Sequence, residues 1–96
     1  MRASREMILR QVAGEHILIP TGGMALKVHG MINLSESGAL LWNLLSEERG
    51  EEELVDAVLS EYQVDRETAT ADVRAFVEQM RKVGILEQDG EGDAVE

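Results

Sequence analysis

The chain has no cysteine among its 96 residues. That excludes disulfides, thiolate metal sites and a cysteine nucleophile, and it fits a reducing compartment. Aromatic residues are nearly as scarce, with one Trp, one Tyr and one Phe, so the core must be assembled from Leu, Ile, Val, Met and Ala. Positive charge is also short: nine Lys and Arg stand against 19 Asp and Glu, a net charge of −10. So acidic a surface repels phosphate backbones and anionic membranes alike. No apolar run approaches the ~20 residues that cross a bilayer. The charged start, Met1-Arg2-Ala3-Ser4-Arg5-Glu6, lacks the layout of a secretory signal. The expectation is a cytoplasmic protein with one domain over residues 1–87 and an acidic, Gly-containing, disordered tail over 88–96.

What is present is a change of period. Met7 to Val12 and Glu15 to Pro20 read as two strands joined by a short turn at Ala13-Gly14, a β-hairpin. After Thr21-Gly22-Gly23, the residues Met24, Leu26, Val28, Ile32 and Leu34 share one parity, and Ala25, Lys27, His29, Met31 and Asn33 the other. Period two predicts a long third strand with the even set facing the core and Gly30 as a bulge or bend. From Ser35 the period becomes helical. Ser35 is an N-cap, Glu36 suits the helix dipole, and Leu40, Leu41, Leu44 and Leu45 with Trp42 form an apolar stripe. Arg49-Gly50 ends that helix. Glu51, Glu52 and Glu53 open the next, whose apolar positions are Leu54, Val55, Val58, Leu59 and Tyr62. Asp65 caps a third helix, with Ala69, Val73, Phe76, Met80 and Val83 at spacings of four, three, four and three, stopped by Gly84. Ile85-Leu86-Glu87 adds a short strand or docked tail. The predicted fold class is α+β: a small three-stranded antiparallel sheet followed by a three-helix, winged-helix-like bundle.

Catalytic chemistry is hard to place on this pattern. His16 and His29 are the only histidines, and neither has companions at metal-ligand spacing. Ser35 and Ser37 are explained by capping, and Ser37-Gly38 is no nucleophile elbow. The carboxylates decorate helix surfaces and N-termini. No catalytic residue, metal site or cofactor is expected, and the protein is read as a non-enzyme.

A binding surface is easier to draw. On the third helix, Thr70, Arg74, Val77 and Arg81 run beside the core stripe, and four of the nine basic residues (Arg66, Arg74, Arg81, Lys82) fall on this helix. They form either i, i+4 pairs with neighbours such as Glu78 or a groove wall with Val77 at its centre and cationic rims. An exposed edge at Met31, Ile32, Asn33 and Leu34 would supply the facing wall as a template for an added strand. Such a groove suits an extended peptide with acidic and apolar side chains.

The same residues resemble the PqqD-like proteins, also called RiPP recognition elements, which bind ribosomally made precursor peptides. The resemblance runs from about Ile8 to Glu87. It rests on Val12-Ala13-Gly14-Glu15-His16-Ile17-Leu18-Ile19-Pro20, on Ile32-Asn33-Leu34-Ser35-Glu36-Ser37-Gly38-Ala39-Leu40-Leu41-Trp42, on Glu52-Glu53-Leu54-Val55 followed by Tyr62, and on Asp72-Val73-Arg74-Ala75-Phe76-Val77 with Gly84-Ile85-Leu86. Ser35 stands where the family often has Asn, another good N-cap.

The resemblance implies a non-catalytic peptide chaperone. Its precursor's leader segment would add as a strand along Met31, Ile32, Asn33 and Leu34, with side chains entering a cleft against Arg74, Val77 and Arg81. The implied partners are that peptide and a modifying enzyme, typically a radical S-adenosylmethionine enzyme. Neither nucleic acid nor membrane is expected as a partner, and a monomer or a strand-exchanged dimer is expected. The alternative is a winged-helix DNA-binding transcriptional regulator, which the helical proportions and the basic residues of the third helix would allow.

Overall fold

Two residues with positive φ set the sheet. Ala13 (φ 53°) and Gly14 (φ 83°) form a two-residue turn of the mirror-image kind that matches strand twist. They join β2 (Met7–Val12) to β3 (Glu15–Pro20), with Val12 opposite Glu15 and Met7 opposite Pro20. The computed structural model describes residues 1–87, so the tail expected over 88–96 lies outside the described residues. A third strand, β4 (Ile32–Leu34), pairs antiparallel with β3, giving the order β2-β3-β4. The predicted three-stranded antiparallel sheet is therefore present.

The third strand is much shorter than its alternation suggests. Met24–Lys27 is a one-turn helix, α1, and only three residues reach the sheet. Met24, Ala25, Leu26 and Lys27 are all better helix formers than strand formers. Main-chain bonds from Met24 N–H to Thr21, from Ala25 N–H to Gly22 and from Leu26 N–H to Gly23 close the turn. Gly30 (φ 90°) ends the excursion. Met24, Val28 and Ile32 still point inward, because a spacing of four serves a helix and an alternation equally. Leu26, expected in the core, is 84% exposed.

Three longer helices follow: α2 (Glu36–Leu44), α3 (Glu51–Glu61) and α4 (Arg66–Val83). Their ends carry the expected chemistry. Ser35 Oγ accepts from Gly38 N–H at 3.1 Å, Gly50 N–H donates to Glu53 Oε1 at 2.9 Å, and Gly84 ends α4 at φ 91°. Asp65 Oδ1 accepts from Thr68 N–H at 2.8 Å. That main-chain bond, helped by the Thr68 side chain, holds the Asp65 carboxyl below its ordinary value of 3.8. A depressed folded-state value contributes stability above the unfolded pKa and loses it as pH falls through the folded one. The stability gap between the protein and Asp65→Asn should thus be constant near neutrality and close in acid below the ordinary value. Urea titrations at neutral and acid pH would read this, and a gap that widens in acid would contradict it.

Leu18 of β3, Leu41, Trp42 and Leu45 from α2 and its end, Leu54 and Val58 of α3, and Val73 and Met80 of α4 belong to one continuous core. The short strand expected after Gly84 is present, and it has a partner that the sequence pattern did not show. Arg2–Ala3 forms β1, which pairs antiparallel with β5 (Leu86–Glu87) and ties the first residues to the end of α4.

Candidate peptide-binding groove

The hairpin turn determines which way each main-chain group points. In a two-residue hairpin the closing pair, Val12 and Glu15, exchanges hydrogen bonds, and the direction alternates from there. Arg10 and Ile8 therefore face β3, whereas His16 and Leu18 of β3 face β4. Their partners Leu34 and Ile32 are spent on β3. Asn33 between them directs its N–H and C=O outward, along an edge that no strand of the described residues covers. Its exposed side chain donates through Nδ2 to Glu15 Oε1 at 3.3 Å.

This edge forms one wall of a groove of about 390 Å³. β4 passes into α2 through the single residue Ser35, so the first turn of α2 (Ser35, Ser37, Gly38) lies beside the edge and closes one end. Leu34, Leu41 and Val58 contribute its apolar surface, and Asp72, Ala75, Phe76 and Gln79 of α4 form the opposite wall. Gly38 is buried, and the absence of a side chain there leaves room between α2 and the end of β4. A second depression of about 290 Å³ adjoins it, sharing Ser35, Ser37, Val58 and Asp72 and adding Glu36, Tyr62 and Val64.

The expected site residues separate into two groups. Asn33 and Leu34 line the groove. Ile32 is half-buried against the core, and Met31, 64% exposed, precedes the strand. The helix wall departs from expectation. Val77, placed beside the core stripe in the sequence reading, is 6% exposed and belongs to the core. Arg74 donates from Nε to Glu51 Oε2 at 2.8 Å, toward α3. Arg81 is exposed and does not line the groove. At 3.6 residues per turn, the face carrying Arg74, Val77 and Arg81 lies about 180° around α4 from the face carrying Asp72, Ala75 and Gln79. The core stripe lies between them, and the groove occupies its other flank.

The basic residues of α4 are largely engaged by carboxylates: Arg66 with Asp56 at 2.9 Å, Arg74 with Glu51 at 2.8 Å and Lys82 with Glu78 at 3.8 Å. Those carboxylates offset much of the positive charge that a DNA-binding reading of this helix drew on. His16 is half-buried opposite Leu34, and His29 is exposed. Among the described residues no group of three or more His, Cys, Asp or Glu could hold a metal ion, and no helix is long and apolar enough to cross a membrane.

With this geometry in hand, comparison with known proteins is informative. The sequence model of one family, coenzyme PQQ synthesis protein D (PqqD), matches residues 15–86. TbiB1, solved in complex with the TbiA(β) leader peptide, is 31% identical, with a TM-score of 0.72 over 91% of this chain and 95% of that one. A lasso peptide synthetase B1, also complexed with its leader peptide, shares the fold at 21% identity, with a TM-score of 0.70 over 91% of this chain and 96% of that one. A search of curated proteins found no match.

Proposed function

The chain belongs to the PqqD family, and from that premise we propose that it binds the leader segment of a ribosomally made precursor peptide as a strand added along β4. The observation that carries this reading is the outward main chain of Asn33 at a sheet edge that no strand of the described residues covers, facing a groove walled by α4. The TbiB1 complex supports it, because a relative of the same fold holds a leader peptide. Main-chain hydrogen bonds at the edge would supply affinity, and the groove would select side chains.

The lining narrows the peptide's chemistry. Leu34, Leu41, Val58 and Phe76 favour an apolar anchor. Among the described residues the only charged one lining the main groove is Asp72, and Glu36 joins it in the adjoining depression. A leader with a basic or hydrogen-bond-donating side chain near this end therefore fits better than the acidic one the sequence suggested. The protein itself performs no chemistry in this reading. It presents the peptide, in the cytoplasm, to a modifying enzyme, with a radical S-adenosylmethionine enzyme as the proposed partner.

Asn33→Pro tests the mechanism directly. The Asn33 N–H is not used by β3, and proline is tolerated at an outward edge position, so the sheet should survive while an added strand loses a hydrogen bond. Calorimetric titration would use the TbiA(β) leader and leader segments of short precursors encoded beside this gene. We expect a loss of at least tenfold, or about 1.4 kcal/mol, for Asn33→Pro and little change for Asn33→Ala. Undiminished binding by a folded Asn33→Pro protein would refute strand addition at β4.

A further inference from the structure

Among the described residues the sheet has a second free edge. There β2 pairs with β3 alone, and the same alternation that turns Asn33 outward at β4 turns Leu9 and Gln11 outward at β2. β2 is six residues long, twice the length of β4. Natural edge strands are usually blunted by proline, bulges, several charges or a covering element. β2 contains no proline and one charged residue, Arg10, and it pairs with β3 without a bulge. A cleft of about 270 Å³ lies beside it, lined by Met7 and Leu9 and, across the opening, by Trp42, Asn43 and Ser46 of α2 and its end.

We infer that this edge joins a second copy of the chain, β2 against β2 across a two-fold axis. A two-fold antiparallel pairing must match outward groups with outward groups, so its axis passes through a residue. An axis at Arg10 would set two guanidinium groups directly opposite each other, which is unfavourable. An axis at Leu9 sets Leu9 opposite the partner's Leu9 and Gln11 opposite the partner's Met7. It also places Arg10 beside the partner's Ile8, so the two guanidinium groups are no longer directly opposite each other. In that register Leu9 can exchange both main-chain bonds with its counterpart and the Gln11 N–H can reach the partner's Met7 carbonyl, while the Met7 N–H stays on Ser4 O of its own chain at 3.4 Å.

Long-range charge opposes this approach less than one through the helices. Residues 1–34 hold four basic residues (Arg2, Arg5, Arg10, Lys27) against two acidic ones (Glu6, Glu15), while the rest of the chain holds five basic against 17 acidic. Two copies meeting at β2 bring the mildly basic sheet halves together. A contact through the helices would oppose two strongly acidic surfaces. The resulting six-stranded sheet runs β4-β3-β2-β2-β3-β4. Both β4 edges stay free at its ends, so the pairing stands independently of the peptide-binding reading and leaves two grooves open. It differs from the strand-exchanged dimer the sequence allowed, since no element leaves its own chain.

Sedimentation equilibrium over micromolar to millimolar protein should show the wild-type mass doubling. Gln11→Pro removes an outward N–H that β3 does not use, so its circular dichroism should match wild type while it sediments as a monomer at every concentration. Register is read by cross-linking, which the cysteine-free sequence makes clean. A mixture of Ile8→Cys and Arg10→Cys proteins should give a disulfide-linked pair on mild oxidation, in at least tenfold excess over either variant alone. A wild type that stays monomeric throughout, or a Gln11→Pro protein that dimerises as wild type does, overturns the proposal. Efficient self-linking of Ile8→Cys alone overturns the register.

Discussion

Gly38→Leu is expected to weaken leader-peptide binding at least tenfold in a protein that still folds. Gly38 lies in the first turn of α2 with an ordinary helical backbone, since it is absent from the positive-φ glycines. An L-residue is therefore compatible with its conformation. A Cβ there would sit 3.3 Å from Ser35 Oγ, 3.5 Å from Leu34 Cβ and 3.7 Å from Leu34 Cδ2. The first distance is tight, and Ser35 is the cap of α2, so the cap must shift by a few tenths of an ångström. Against that strain stands the ~1 kcal/mol of helix propensity gained when a helical glycine is replaced. Stability should accordingly change little for Gly38→Ala. The leucine side chain extends further, between the edge of β4 and the α4 wall, where the proposed peptide would lie. We expect at least a tenfold loss of affinity, about 1.4 kcal/mol, with a thermal midpoint close to wild type. Full affinity in Gly38→Leu would move the peptide site elsewhere on the molecule.

Much of the fold was legible in the sequence, and the distance between the expected helix wall and the groove has an identifiable cause. Local chemistry gave the hairpin bounds at Met7–Val12 and Glu15–Pro20 and the caps at Ser35, Asp65 and Gly84, because turn and cap residues act on their immediate neighbours. The period of α4 gave its buried stripe. The same period could not say which flank of the stripe faces β4, because that depends on how the helix packs on the sheet. Following the basic residues to Arg74 and Arg81 selected the flank that faces α3. Val77 shows the consequence. A charge placed there enters the core, so Val77→Asp would report unfolding and not a lost peptide contact. Of the β1–β5 pair, the short strand after Gly84 was expected, whereas β1 was not, because two residues at Arg2–Ala3 are too short to display a period.

Leu18→Ala is expected to cost the most stability, and paired with Leu26→Ala it tests how β4 is built. Leu18 is fully buried at the centre of the sheet, between Leu9 of β2 and Ile32 of β4. Truncating a leucine in such a site removes about 2–5 kcal/mol, a large share of the about 5–15 kcal/mol typical of a domain. For about 100 residues each kcal/mol moves the midpoint by about 4–8 °C, so a fall of about eight degrees or more should be plain in a thermal melt. Peptide affinity should fall as well, because β4 holds its edge in place through only three residues, and Ile32 sits directly opposite Leu18. Leu26 provides the contrast. In a long alternating strand it would face the core as Leu18 does, whereas on the turn of α1 it stands in solvent. Leu26→Ala should therefore lie within about 0.5 kcal/mol of wild type, as exposed substitutions generally do. Equal losses at the two positions would restore the long third strand and, with it, a longer peptide-binding edge. A loss at Leu18 alone fixes that edge at Ile32–Leu34, so the outward main chain available to the peptide is centred on Asn33.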